Sequence, residues 1–196
     1  MPIPPSPSSP LSGPPLVTVM GVSGSGKTTV GAALAQRLGV PFADADDFHP
    51  AANVAKMSAG TPLDDLDRLP WLQTISLWLA DHAATGAVVS CSALKHWYRT
   101  ILREAAPTQV FVHLDGSPEV VARRVAGRPG HFMPASLVDS QFATLERLQD
   151  DEIGLTLPLD LPVDDLVARA AAALSSPATT SPTATAVPST AHGKEA

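Results

Sequence analysis

Cysteine is all but missing from this chain. Cys91 is the only one in 196 residues, which excludes an internal disulfide and leads to the expectation of a reducing, cytoplasmic setting. No apolar run approaches the ~20 residues that a membrane span requires, so no membrane partner is expected. The formal net charge is -6, and no basic patch offsets it, which argues against nucleic acid as a partner. The opening stretch MPIPPSPSSPLSGPP has neither a basic n-region nor an apolar core, and so does not read as a secretory signal. Internal repeats are absent too. Residues 1–15 are rich in Pro and Ser, and 175–196 in Pro, Ala, Thr and Ser. Such segments bury too little surface to offset their ordering entropy, so both are expected to be disordered arms. One domain over 16–174 remains, a length that suits a full core.

Against that background, Gly21 to Thr28 stands out. It reads GVSGSGKT and fills the G-x-x-x-x-G-K-[ST] phosphate-binding pattern. A β-branched apolar run, Leu16–Met20, precedes it, and a helical pattern over Val30–Leu38 follows, the setting the motif requires. Glycines let successive N–H groups converge on one anion, and the helix N-terminus adds partial positive charge. Gly21, Ser23, Gly24, Ser25, Gly26, Lys27, Thr28 and Thr29 are the candidate triphosphate-binding residues. Lys27 would reach the β- and γ-phosphates of ATP, and the Thr28 hydroxyl would ligate Mg²⁺.

Strand-like runs at Leu16–Met20, Phe42–Ala43, Ala87–Cys91, Gln109–Leu114 and Leu155–Leu157 alternate with helical stretches. That alternation predicts an α/β fold, a three-layer α/β/α sandwich on a mostly parallel sheet. Site residues should then follow strand ends. After the second strand comes Asp44-Ala45-Asp46-Asp47-Phe48-His49-Pro50. Acids there can hold Mg²⁺ through water or orient an attacking hydroxyl; the alternative is a solvated turn capping the next helix, the better reading for Asp47. His49 fits substrate binding and turn packing equally. The third strand lacks the terminal Asp that many P-loop ATPases use, and no Asn-Lys-x-Asp guanine reader is present. Both absences weaken motor and GTPase readings and shift Mg²⁺ ligation towards Asp44.

Cys91 reads as a small buried hydrophobe. Lys95, Arg99 and Arg103 recur every four residues and would share one helix face, with Arg99 and Lys95 suited to an anionic substrate. Met57, Trp71, Leu72, Ile75, Trp78 and Leu79 read as core-facing helix positions. Further on, Arg123 and Arg124 precede GRPGHF, whose glycines and basic groups read as a lid over ATP at about 124–135. Arg128 would lie on the transferring phosphoryl group, and Arg124 against the nucleotide.

The segments MGVSGSGKTTVG, DADDFHPAANVAKMSAGTPLDDLDRLPWL, VVSCSALKHWYR and RPGHFMPASLVDSQFATLE together resemble the bacterial-type gluconokinases, small P-loop kinases related to shikimate kinase. The resemblance implies a five-stranded parallel sheet of the shikimate-kinase type, a substrate-binding segment at about 50–84, and a homodimer. It implies ATP-dependent phosphorylation of D-gluconate at its terminal hydroxyl. By the same resemblance Asp46 contacts that hydroxyl and Asp44 assists Mg²⁺, although Ala45 stands where the family has glycine. Gluconate's carboxylate then needs a cation, with Arg99 the first choice and His131 or Lys56 in reserve. The competing readings are another small-molecule P-loop kinase, or a nucleotide-dependent binding module without transferase activity.

Overall fold

Leu16–Met20 forms strand β1, in which all five residues are buried. A strand buried on both faces must sit inside a sheet covered by helices, and its unbroken apolar run reflects that position. The computed structural model describes residues 13–126 and 135–175. Helix α1 is Lys27–Leu38, so it begins at the P-loop lysine, three residues before the apolar periodicity becomes visible in the sequence. Strand β2 is Phe42–Asp44, followed by a 3-10 turn over Ala45–Phe48. Helices α2 (Ala51–Ser58) and α3 (Asp65–Asp81) fill the expected substrate-binding segment. Strand β3 (Ala87–Ser90), helix α4 (His96–Glu104) and strand β4 (Val110–Asp115) come next. Helices α5 (Pro118–Ala126) and α6 (Ala135–Thr144), strand β5 (Gly154–Pro158) and helix α7 (Val163–Ser175) complete the order.

The five strands lie in the order β2-β3-β1-β4-β5, and every pairing is parallel. With β1 between β3 and β4, the chain leaves the sheet in opposite directions on either side of the P-loop. That switch point opens the crevice in which α/β proteins bind ligands. One core joins Val17, Val19, Val112 and Leu114 to α1 and α7; the other joins Leu16, Met20, Val89 and Phe111 to α3 and α4. Of the positions read as core, Trp71, Leu72, Ile75 and Leu79 are buried, whereas Met57 is 42% exposed. It sits on α2, a helix too short to present a wide buried face. The two terminal arms lie almost wholly outside the described residues, as do 127–134 of the expected lid.

One buried polar group in this core stands out. His113 on β4 is fully buried, and neither ring nitrogen has a hydrogen-bond partner among the described residues. Burial pushes its imidazole down to about 4 from 6.5, with Arg147 and Arg99 adding to the push and Asp115 opposing it. A neutral folded His loses to an unfolded chain that takes up a proton below pH 6.5. Stability should therefore fall as pH drops from 6.5 towards 4, by about 3 kcal/mol from this residue alone. Urea unfolding of wild type and His113→Leu across that window checks it: the variant should lack this share of the acid slope, and equal slopes would refute it.

Candidate active site

The P-loop is built by backbone freedom and close approach. Gly21 has φ 143°, and a Cβ there would lie 2.8 Å from the Leu114 carbonyl, so only glycine lets the loop leave β1 beside β4. Gly26, at φ 89°, caps α1 in the left-handed region. Lys27 and Thr28 open α1, where a helix N-terminus offers backbone N–H groups to an anion. Val22 O accepts from Ser25 N at 3.2 Å and from Lys27 Nζ at 3.1 Å, which folds the lysine back along its own loop. Burial lowers the Lys27 pKa, opposed by Cys91, Asp46 and Asp44. Cys91 is itself buried and pushed up to about 12, so it stays a thiol and acts as packing.

The acid turn meets this loop directly. Thr28 Oγ1 donates to Asp44 Oδ2 at 2.8 Å, while Asp44 Oδ1 accepts from Asp46 N at 3.1 Å as the N-cap of the 3-10 turn. Thus one carboxylate both caps the turn and touches the P-loop hydroxyl. Two hard oxygen donors of this kind, at a phosphate-binding helix end, suit Mg²⁺. Ala45 needs no glycine freedom: Ala93 is the one non-glycine at positive φ among the described residues. The Ala45 carbonyl accepts from Trp71 Nε1 at 2.6 Å, so a residue read as packing also anchors the turn.

Asp46 carries an 89% exposed side chain. Although water reaches most of its surface, the walls of the cleft push its carboxyl above the usual range, and Asp44 adds to the push. His49 stacks on Trp71 at 4.4 Å and 11° between planes, with Nε2 4.0 Å from Asp46 Oδ1. Burial lowers its pKa, Asp46 opposes this, and Arg68 adds to it. His49 is therefore a neutral ring held beside the carboxylate.

The cations are distributed differently from their sequence spacing. Arg99 does not share an open face with Lys95: its side chain is fully buried against Glu152, with Nε to Oε1 at 2.5 Å and Nη2 to Oε2 at 2.8 Å. It also donates to the carbonyls of Ala93, Leu94, Glu146 and Arg147. No donor is left for a substrate, which corrects the expectation that Arg99 binds a carboxylate. Helical spacing had identified the face without revealing that residues 145–152 cover it. Lys56 is committed to Asp67 at 2.5 Å and Asp64 at 3.6 Å, the capping-box acids of α3. Lys95 is bound by both oxygens of Asp65, which also accepts from Tyr98 Oη at 2.5 Å.

Arg124 donates from Nη2 to the carbonyls of Leu159 and Leu161, and a Cβ on Gly26 would lie 3.4 Å from its Nη1. It therefore flanks the P-loop. Arg128 and His131 lie outside the described residues. Thr29 is exposed on the first turn of α1. The sequence reading passed over Arg68, on the first turns of α3. It lies over the Tyr98 ring at 5.9 Å and is only loosely paired to Asp65 at 3.7 Å. Its signal was available: a basic residue placed after a capping box, on the helix that anchors the acid turn.

Comparison with known proteins gives a consistent picture. A shikimate kinase family model matches residues 23–153. The chain is 54% identical over 141 residues to a gluconokinase of Gluconobacter oxydans (strain 621H), covering 71% of this chain and 79% of that one. It is 51% identical over 137 residues to the thermosensitive gluconokinase of Escherichia coli (strain K12), covering 68% and 73%. A crystal structure of a gluconokinase from Sinorhizobium meliloti 1021 superposes with a TM-score of 0.76 at 47% identity, covering 83% of this chain and 92% of that one.

The structural role of Arg99 is testable by stability. Arg99→Ala leaves Glu152 buried without its partner and should lower unfolding free energy by about 3–5 kcal/mol in urea titrations. Replacing both Arg99 and Glu152 with Met should recover much of that loss. An Arg99→Ala protein of unchanged stability, altered only in substrate KM, would return Arg99 to the substrate.

Proposed function

The chain belongs to the gluconokinases of the shikimate-kinase family, and we propose that it works as one, moving the γ-phosphoryl group of ATP to the terminal hydroxyl of D-gluconate. The products are 6-phosphogluconate and ADP. The observation that carries the reading is the 2.8 Å contact between Thr28 and Asp44, which joins the donor loop to the acid turn that bears Asp46. Phosphoryl transfer asks mainly for position and charge neutralisation; this junction would supply the first, and Lys27 with the Mg²⁺ that Thr28 and Asp44 would hold the second.

Thr28 and Asp44 would hold Mg²⁺, whose chemistry is to neutralise charge on the phosphates. The amides of the P-loop and Lys27 hold the triphosphate; Arg124 lies against the nucleotide. Asp46 accepts the proton of the attacking hydroxyl, and His49, stacked on Trp71, stands beside that carboxylate. Arg128 is assigned, from the sequence alone, to the transferring phosphoryl group. With Arg99, Lys56 and Lys95 committed elsewhere, Arg68 is the described cation best suited to gluconate's carboxylate. It is half-buried, weakly paired and within electrostatic reach of His49. A homodimer in the cytoplasm completes the proposal; no described helix is long and apolar enough to cross a membrane.

A coupled ADP-release assay with gluconate beside idonate, shikimate and AMP tests the activity. Gluconate should be strongly preferred, and equal rates with all four would overturn the specificity. Within the site, Asp46→Asn should lower kcat by about 10²–10⁴-fold while the protein stays folded. Arg68→Gln should raise KM for gluconate by about 10-fold or more and leave KM for ATP near wild type. A change confined to ATP would move Arg68 to the donor side.

A further inference from the structure

Gln141 on α6 makes a two-point contact with the P-loop across 118 residues of sequence. Its Oε1 accepts from Ser23 N at 2.7 Å, and its Nε2 donates to Ser23 Oγ at 3.1 Å. The two bonds fix which end of the amide is oxygen, because a backbone N–H can only donate. Neither Ser23 nor Gln141 is fully exposed, so water competes only in part for these bonds.

The contact matters because of which peptide it holds. Ser23 N–H and Val22 C=O belong to one planar unit. Val22 O is the acceptor that holds Lys27 Nζ at 3.1 Å and Ser25 N at 3.2 Å. The unit is thus gripped at both ends: by Gln141 on its N–H and by the phosphate lysine on its carbonyl. Rotating it would move the Val22 carbonyl off Lys27 and re-aim the Gly24 amide that follows. The rotation turns on ψ of Val22 and φ of Ser23; the local backbone opposes it through Ser25 N on the Val22 carbonyl, and Gln141 supplies the hold on the N–H end.

The same stretch of chain is tied to the acceptor side. Glu146 N donates to Leu94 O at 2.8 Å, Glu146 Oε2 accepts from His96 N at 2.5 Å, and Arg99 holds the carbonyls of Glu146 and Arg147. Residues 141–147 therefore span from the P-loop to the loop between β3 and α4. We propose that Gln141 is a positioning residue, which orients the Val22–Ser23 peptide and through it Lys27, and so sets the donor loop against the acceptor loop. This rests on the reading of the P-loop as the ATP site of a gluconate kinase.

The residue type fits the task. Glutamate would keep an acceptor for Ser23 N but lose the donor to Ser23 Oγ and bring negative charge towards the triphosphate. Asparagine is a methylene shorter and would not reach without moving α6.

Steady-state kinetics with gluconate and ATP on the full chain, with thermal unfolding and binding of a fluorescent ATP analogue, provide the test. Turnover by wild type tests the kinase reading on its own, and the analogue reports on the donor loop whether or not gluconate is the acceptor. Gln141→Ala should lower kcat and raise KM for ATP, together reducing kcat/KM for ATP by about tenfold or more, with KM for gluconate within about twofold. Its analogue affinity should fall while the unfolding midpoint stays near wild type. Ser23→Ala, which keeps the N–H bond, should be milder, and adding it to Gln141→Ala should cost little more. If Gln141→Ala unfolds early, Gln141→Glu keeps the volume and the bond to Ser23 N and should still weaken ATP. Wild-type ATP parameters in both variants would overturn the proposal, as would an effect confined to gluconate.

Discussion

A guanidinium with no water around it must find a protein acceptor for its donors, and the burial of Arg99 imposes that demand on three pieces of chain at once. Glu152 neutralises it, the Ala93 and Leu94 carbonyls bring in the loop after β3, and the Glu146 and Arg147 carbonyls bring in the stretch after α6. Breaking any one leaves a buried donor or charge uncompensated, so the pieces form as a unit. Ala93, at φ 45°, is held in a conformation that costs a non-glycine residue energy. The bond from Arg99 to its carbonyl and its burial in the core hold it there. That strained residue stands at the mouth of the crevice, where the chain turns from β3 into α4.

The sheet then decides what faces what. Because β1 lies between β3 and β4, its P-loop emerges beside the loop after β3 and across from the acid turn after β2. Thr28 and Asp44, sixteen positions apart, meet because β2 runs parallel to β3 and ends level with it, Asp44 opposite Ser90. No local sequence preference could arrange this. It follows from strand order and register.

This also explains what was legible in the sequence. The P-loop and the strands were readable because each is a local pattern of glycines or of apolar residues. The acid turn was readable because its residues are contiguous. Arg99 was misread for the opposite reason: a four-residue period says which side of a helix a residue takes, not whether another segment covers that side. Its cover, residues 145–152, lies about fifty positions away and has no regular pattern of its own. Lys56 and Lys95 looked free for the same reason, since Asp67 and Asp65 reach them only once α3 packs. The pairing of Gln141 with Ser23 is more distant still, and glutamine in an amphipathic helix gives no warning of it.

The distribution of charge that results suits one kind of acceptor. Among the described residues, carboxylates outnumber free cations around the proposed acceptor side: Asp65 and Asp67 hold Lys95 and Lys56, and Asp46 remains exposed. A planar, dianionic or phosphorylated acceptor would meet repulsion there unless several arginines were available. A polyol chain with a single carboxylate asks for something else, namely many acceptors for its hydroxyls and one cation for its end. On the proposed reading Asp46, neutral His49 and the carboxylates of α3 would accept from hydroxyls, and Arg68 is a weakly paired cation among the described residues. On the proposed reading, pairing off the lysines would contribute to selectivity, because it offsets the charge that a more anionic acceptor would need.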